Sequence, residues 1–344
     1  MRKKRYKFSV LVIIVTLILG GAAFYYIQYS KGSLPSFITE NINTYSASKK
    51  YVITKADRII SEADTEKEAI SEVKKNKRSI AINTYTDKWV YSDLLPFFII
   101  TNNAVHDFET FSEAYKYAST NDYKQIYYKD NKTIIWEAKN ELKDTLLSVP
   151  LIPQLPELPR GCEVTSLAML LRYRGIEVSK IKLAQEVKRD PTPYSKDSNG
   201  RIQYGNPYDG FVGDMYDMKK NGYAVYHGPI VELAQEYCGE KAIDLTGIQF
   251  EDILYFVEQG NPVWIITNST YNSLSDEYFE MWHTPTGIVK VTKKLHSVVI
   301  TGFNKDKIYI NDPLSNNKNR AVNRKSFQLA WEQMGNQAMT IITY

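Results

Sequence analysis

Apolar residues recur at two different periods along this chain, and the change of period divides it. Val164, Leu167, Ala168 and Leu171 stand at i, i+3, i+4 and i+7, the spacing of one helical face, and Gly175 follows where such a helix would stop. Just upstream, Pro150, Pro153, Pro156 and Pro159 fix φ and push each preceding residue out of the helical region, so 149–159 is expected to be extended. Cys162 therefore falls at the start of the helix. Further helical segments are expected at 178–187, entered through Ser179, and at 215–221, 231–237 and 250–258. A long polar loop is expected at 189–211 and a short strand at 222–226. From 263 onward the pattern becomes that of strands, at 263–267, 287–292, 297–303, 307–310 and 338–343. Helices first and strands after indicate an α+β domain, with bounds placed at 146–344.

Between 56 and 138 one pattern occurs twice. Residues 65–73 and 110–118 are short helical segments carrying Glu68-Ala69 and Glu113-Ala114, and a strand-rich hairpin ending near Trp89 or Trp136 follows each. The copies are offset by 45 residues at the alanines and 47 at the tryptophans, so one small gap aligns them. This predicts a small α/β two-repeat accessory module. Its many tyrosines are assigned to core packing, with a peptide- or glycan-facing surface as the alternative.

Residues 8–27 are uncharged and mostly apolar, a run of 20 that is long enough to cross a bilayer as a helix. Residues 1–7 carry five of the chain's basic residues and would form a cytoplasmic tail. A single-pass signal anchor is therefore expected, with a polar stalk at 28–55 and everything beyond it extracytoplasmic. Cleavage after Ala22 or Ala23, giving a secreted protein, is the competing reading. The tail also accounts for the net charge of +4, since the remainder holds 38 basic against 39 acidic residues. No nucleic-acid surface is expected. The membrane enters as a partner only through the N-terminal helix.

A thiol at a helix start ionises more readily than usual, because unpaired N–H groups and the positive end of the dipole favour an anion there. Cys162 is accordingly a candidate nucleophile, although for a lone cysteine a buried structural role is the commoner case, and a disulfide to Cys238 is open in an oxidising exterior. Those two cysteines lie 76 positions apart, and no Cys or His pair has metal-ligand spacing. A Gly-rich phosphate loop is missing too, so neither metal nor nucleotide cofactor is expected.

A nucleophile needs a base and a group to orient it. Of His106, His227, His283 and His296, only His296 opens a strand pair whose second strand ends in an acid, Asp312 before Pro313. A three-residue loop at 304–306 would place Val298 opposite Asp312 and His296 diagonal to it on one face. A two-residue turn would put them on opposite faces, so the pairing needs an odd loop or a bulge.

Gln154, Gly161-Cys162-Glu163, Thr165-Ser166-Leu167-Ala168, His296-Ser297-Val298, Gly302-Phe303 and Asn311-Asp312-Pro313 together resemble the papain-like cysteine peptidases related to the bacteriocin-leader-processing peptidases, especially their secreted or membrane-anchored bacterial relatives. The resemblance implies that Cys162 is the nucleophile, His296 the general base and acid, Asp312 the residue orienting the imidazole, and Gln154 a side-chain donor to the oxyanion. It implies a peptide or protein substrate and hydrolysis through a thioester. The leader-processing role itself is not carried over. Glu163 suits the first helical turn but would oppose a thiolate, so it is expected to point away from the sulfur and hold a loop. The alternatives are a membrane-anchored binding protein with an inactive peptidase fold, and an acyl or peptidyl transferase using the same cysteine.

Overall fold

A computed structural model describes residues 49–343 other than 56, 57, 87, 102 and 103. The tail at 1–7, the candidate membrane span at 8–27 and the stalk up to 48 lie outside the described residues. Among the described residues no helix is long and apolar enough to cross a membrane. The chain divides into two units, Met1–Glu109 with Ile126–Ile134, and Thr110–Gln125 with Ile135–Tyr344.

In the first unit, β1 (Tyr51–Lys55) and β2 (Arg58–Ala63) form a hairpin, and α1 (Glu66–Lys75) follows. Strand β3 (Ile80–Asn83) then pairs with β1, and β4 (Lys88–Ser92) pairs with β3. A second hairpin, β5 (Phe97–Ile100) and β6 (Val105–Phe108), precedes α2 (Phe111–Thr120), and β7 (Gln125–Tyr128) returns beside β5. Each helix begins at a Thr-x-x-Glu capping box, Thr65 with Glu68 and Thr110 with Glu113, which satisfies two N–H groups reciprocally. Val52, Ile82 and Phe98 are fully buried in this unit, with Trp89 and Tyr127 stacked on Phe98.

The second unit includes α2. Tyr115 from this helix donates to Asp252 at 2.5 Å, and Trp136 of β8 (Ile134–Glu137) donates to the other oxygen of the same carboxylate at 2.8 Å. The chain continues through β9 (Thr145–Leu146), α3 (Cys162–Tyr173) and α4 (Lys180–Glu186). Four two-residue strands follow, β10 (Arg189–Asp190), β11 (Ser195–Lys196), β12 (Ile202–Gln203) and β13 (Phe211–Val212). Next come α5 (His227–Cys238), β14 (Ala242–Asp244), α6 (Phe250–Glu258) and β15 (Val263–Asn268). The hairpin β16 (Glu280–Thr284) and β17 (Gly287–Val291) leads to β18 (Leu295–Phe303) and β19 (Lys307–Asn311). The chain closes with β20 (Arg320–Asn323), α7 (Arg324–Gln333) and β21 (Ala338–Ile341).

The main sheet has the order β14-β21-β15-β18-β19-β20, with β9 also pairing to β18. Alternation along its strands puts Trp264, Ile266, Val299, Met339 and Ile341 on the face that packs with Val164, Leu167, Ala168 and Leu171 of α3. Every residue of α3 from Cys162 to Leu171 is buried, so this helix lies inside the unit rather than on its surface. Polar atoms are matched where it docks: Ser166 donates to the Ser297 carbonyl at 3.2 Å, and the Trp264 indole donates to the Glu163 carbonyl at 3.0 Å. A smaller sheet, β11-β12-β16-β17, carries a second cluster around Tyr204, Tyr226 and Trp282.

The α+β class is as expected, and several local expectations are corrected. Residues 215–221 are turns, not a helix, because side chains satisfy the backbone there. Asp214 accepts the N–H groups of Tyr216 and Asp217, while Asp217 accepts that of Lys219. The guanidinium of Arg160 collects the carbonyls of Asp214, Asp217, Met218 and Lys220. Residues 222–226 form only an isolated bridge, between Gly222 and Gly213. The helix expected at 231–237 starts earlier, at His227, which is compatible with Pro229 in the first turn, where a missing N–H costs nothing. The extended segment ends at Gln154; residues 155–157 form a turn in which the Leu158 N–H bonds to the Gln154 carbonyl at 3.0 Å. Finally, α7 interrupts a region read as mostly strands and was not singled out; Asn323 caps it and Phe327, Ala330 and Trp331 give it a buried helical face.

Candidate active site

Cys162 is the first helical residue of α3, behind Gly161. A Cβ at Gly161 would lie 2.6 Å from the Leu158 Cβ, so glycine lets the turn close directly onto the helix start. No side chain caps this end of the helix. The first N–H groups of α3 are thus left to the space around the sulfur.

His296 is the second residue of β18, and Asp312 follows directly on β19. The hairpin between them does not have the three-residue loop set out above. Phe303 pairs with Ile308 and Gly302 with Tyr309, an even turn that alone would place His296 and Asp312 on opposite faces. One extra residue at Thr301 shifts the register, so that Ile300 pairs with Ile310 and Val299 with Asn311. This bulge restores the required parity. It sits where β9 meets β18: the Thr301 carbonyl accepts the Leu147 N–H at 2.7 Å, and a Cβ at Gly302 would come within 2.4 Å of the Thr145 carbonyl oxygen.

Nε2 of His296 then lies 2.8 Å from Oδ1 of Asp312, and both residues are buried. Oδ1 also accepts the Leu314 N–H at 2.9 Å. Oδ2 accepts the Tyr271 hydroxyl at 2.7 Å and the Arg320 guanidinium at 3.1 Å. Burial alone would push the carboxyl up, but the bonds from His296, Tyr271 and Leu314 hold it down at about 2. Asp312 is therefore a fixed anion. Tyr271 adopts a left-handed backbone, φ 54°, which is costly for a bulky residue and is held by the surrounding contacts. Arg320 also lies over the Tyr271 ring. Neither residue was anticipated, since each reaches Asp312 from a separate part of the chain.

Gln154 is buried, and both hydrogens of its amide are spent on backbone carbonyls, Leu158 at 3.0 Å and Pro159 at 3.1 Å. Its Oε1 has no partner. As placed, the amide braces the turn before Cys162, and an oxyanion would have to replace one of the two carbonyls.

The Cys162 thiol donates to Glu163 Oε2 at 3.3 Å, and the other carboxyl oxygen accepts the Val225 N–H at 3.2 Å. Glu163 thus holds the loop before α5, as expected, but it also touches the sulfur, contrary to expectation. Its buried position and the inward course of α3 leave the carboxyl no route to water. Burial, followed by the Glu163 charge, pushes the Cys162 thiol well above its usual value, against a lowering hydrogen bond from the Ser297 backbone. Burial also pushes the Glu163 carboxyl up to about 7.

Cys162, His296 and Gln154 line a cleft of about 500 Å³. Leu314, Tyr204, Tyr223 and Trp282 line it too, with Lys219, Lys220 and Lys293 among its other residues. Cys162 and Cys238 are both free thiols, so no disulfide removes the candidate nucleophile. Cys238 donates to the Ala234 carbonyl within α5. His227 is bonded to Asp244, 2.8 Å away, and lies outside the cleft lining. Among the described residues no cluster of His, Cys, Asp or Glu could hold a metal ion.

This set of groups can carry out acyl transfer. A thiol stands at a helix N-terminus, and an imidazole paired to a fixed carboxylate opens on the same cleft. Residues 146–339 match the Peptidase_C39-like family. A Bacillus subtilis (strain 168) protein named uncharacterized protein YvpB is 43% identical over 208 residues, 59% of this chain and 79% of its own length. A crystal structure of a candidate C39-like peptidase from Bacillus anthracis is 45% identical and superposes with a TM-score of 0.55, covering 59% of this chain and 98% of its own.

Proposed function

Because the chain belongs to the Peptidase_C39-like family, we propose that it is a cysteine peptidase that hydrolyses peptide bonds through a thioester on Cys162. The observation that carries this reading is the 2.8 Å bond between His296 and Asp312, opening on the cleft that Cys162 also lines. In the first step the Cys162 thiol gives its proton to His296, the sulfur attacks the peptide carbonyl, and the C–N bond breaks as His296 returns that proton to the leaving amine. In the second step His296 takes a proton from water, the hydroxide attacks the thioester, and the thiol reforms as the acid leaves. Asp312 keeps the imidazole oriented and offsets its charge. The Cys162 N–H would bind the oxyanion, joined by the Gln154 amide once it releases a carbonyl.

The relation to bacteriocin-leader-processing peptidases is proposed as one of chemistry, with a peptide or protein substrate at the cell surface. The apolar run at 8–27 supports a signal anchor and an extracytoplasmic domain, with secretion after cleavage as the alternative. A two-repeat accessory module is supported by the matched capping boxes of α1 and α2, and by strands β3 and β7, each returning beside the first strand of the preceding hairpin.

One observation favours a second reading, a binding protein with an inactive fold: the thiol is bonded to an acid and pushed upward. Incubation of the full chain with unfolded protein substrates separates these readings. Wild type should release new amino termini and Cys162→Ala should release none. Equal cleavage by both would overturn the assignment.

A further inference from the structure

Glu163 has no place in the acyl-transfer steps, yet it is the charged group nearest the sulfur. We infer that it is a further catalytic residue that sets when the nucleophile is available: protonated, it donates a hydrogen bond to the Cys162 thiolate; ionised, it holds the thiol as its own donor. The inference rests on the reading of Cys162 as nucleophile.

Glu163 is 1% exposed, and its two carboxyl oxygens have different tasks. Oε1 takes the Val225 N–H, a bond that a glutamine could accept equally well, and Oε2 lies 3.3 Å from Sγ. Among the described residues no Lys, Arg or His forms an ion pair with it. The groups facing it are neutral or negative: the Cys162 thiol from its own helix, and the Tyr223 and Tyr226 phenols from the segment leading into α5, which are bonded to each other at 3.3 Å. Trp264 from β15 reaches only its backbone carbonyl. While His296 is neutral, the one cationic aid is the start of α3.

A thiolate and a carboxylate in contact, both out of water, repel strongly. The proton balance therefore decides the state of the site. With Glu163 neutral, the Sγ–H proton passes to His296 Nδ1, since Nε2 is held by Asp312, and the Glu163 O–H stays intact while turning its hydrogen bond onto S⁻. With Glu163 ionised, the same transfer would set two adjacent anions against the single His296 imidazolium, and the proton stays on sulfur. Burial places the change near neutrality, at about 7. Since this carboxyl is raised, the available nucleophile is present below that pH and is lost above it, the reverse of an ordinary thiol.

The test is alkylation of Cys162 by iodoacetamide in the full chain carrying Cys238→Ser, read by mass at a series of pH values. The rate should fall about tenfold from pH 6 to pH 8, one unit either side of the carboxyl's midpoint. With Glu163→Gln added it should not fall, and at pH 8 it should exceed the parent by about tenfold. Parallel profiles would overturn the inference. If the Gln variant does not fold, the parent profile decides alone: a rate that climbs with pH, or a Cys162 that never reacts, overturns it. Failure of the peptidase reading is a separate result, absence of peptide cleavage by wild type at every pH while the alkylation profile keeps its Glu163 dependence.

Discussion

Replacing Asp312 separates the two tasks of its carboxylate. Oδ1 must accept both the Leu314 N–H and His296 Nε2, so an asparagine is forced to place its oxygen there and its NH₂ toward Tyr271 and Arg320. Tyr271 can turn its hydroxyl to accept, and the Arg320 side chain, 45% exposed, can move to water. Asp312→Asn therefore keeps the imidazole oriented but loses the charge. Exchanging a charged for a neutral acceptor is worth about 1 to 1.5 kcal/mol, so kcat/KM should fall roughly tenfold. Asp312→Ala removes orientation as well and should cost about 10²- to 10⁴-fold.

The stability change has its own pH signature. A carboxyl lowered from 3.8 to about 2 stabilises the fold by roughly 2 kcal/mol, trimmed to about 1 to 2 kcal/mol by solvent on the Arg320 side. Because this pKa is depressed on folding, the contribution is complete above about pH 5, falls to roughly half near pH 3, and vanishes below the folded value. Urea unfolding of wild type and Asp312→Asn at pH 7, 5 and 3, followed by tryptophan fluorescence, measures it. Equal activity of the Asn and Ala variants, or a stability gap that does not narrow toward pH 3, would refute the reasoning.

Two further substitutions test the supports of the site. Gly302→Ala drives a methyl into the β9 backbone at Thr145, and should destabilise by about 1 to 3 kcal/mol in chemical denaturation while lowering activity through loss of the adjacent bulge. Gln154→Ala should lower kcat by about 10²- to 10³-fold with little change in KM if the amide reaches the oxyanion. A loss of stability alone, with kcat intact, would confine Gln154 to bracing the turn at Leu158 and Pro159.

The sequence carried the local part of the site well. Helical spacing placed Cys162 at the start of α3, and the period of two made the His296 and Asp312 contact a question of parity that a loop or bulge could answer. The bulge itself had a signal, Gly302 inside an otherwise apolar strand, but a glycine does not say which neighbour is extra. Tyr271 and Arg320 were illegible because they meet Asp312 only through tertiary folding. The same holds for Glu163: spacing put it in the first turn, but only the burial of Cys162–Leu171 turns its carboxyl onto the sulfur. Residues 215–221 misled because helical apolar spacing says nothing of Asp214 and Asp217 satisfying the backbone from their side chains. In α7 the cap and spacing were present, and the surrounding strands obscured them.

The central claim is that Cys162 forms an acyl intermediate with a peptide substrate. The most direct measurement is the mass of the intact chain after reaction with a substrate peptide and rapid acid quench, mapped to the residue carrying the addition. The account predicts a peptidyl mass on Cys162 in wild type, none on Cys238, and none in His296→Ala. Cleavage that proceeds with no adduct at Cys162, while persisting in Cys162→Ala, would contradict it.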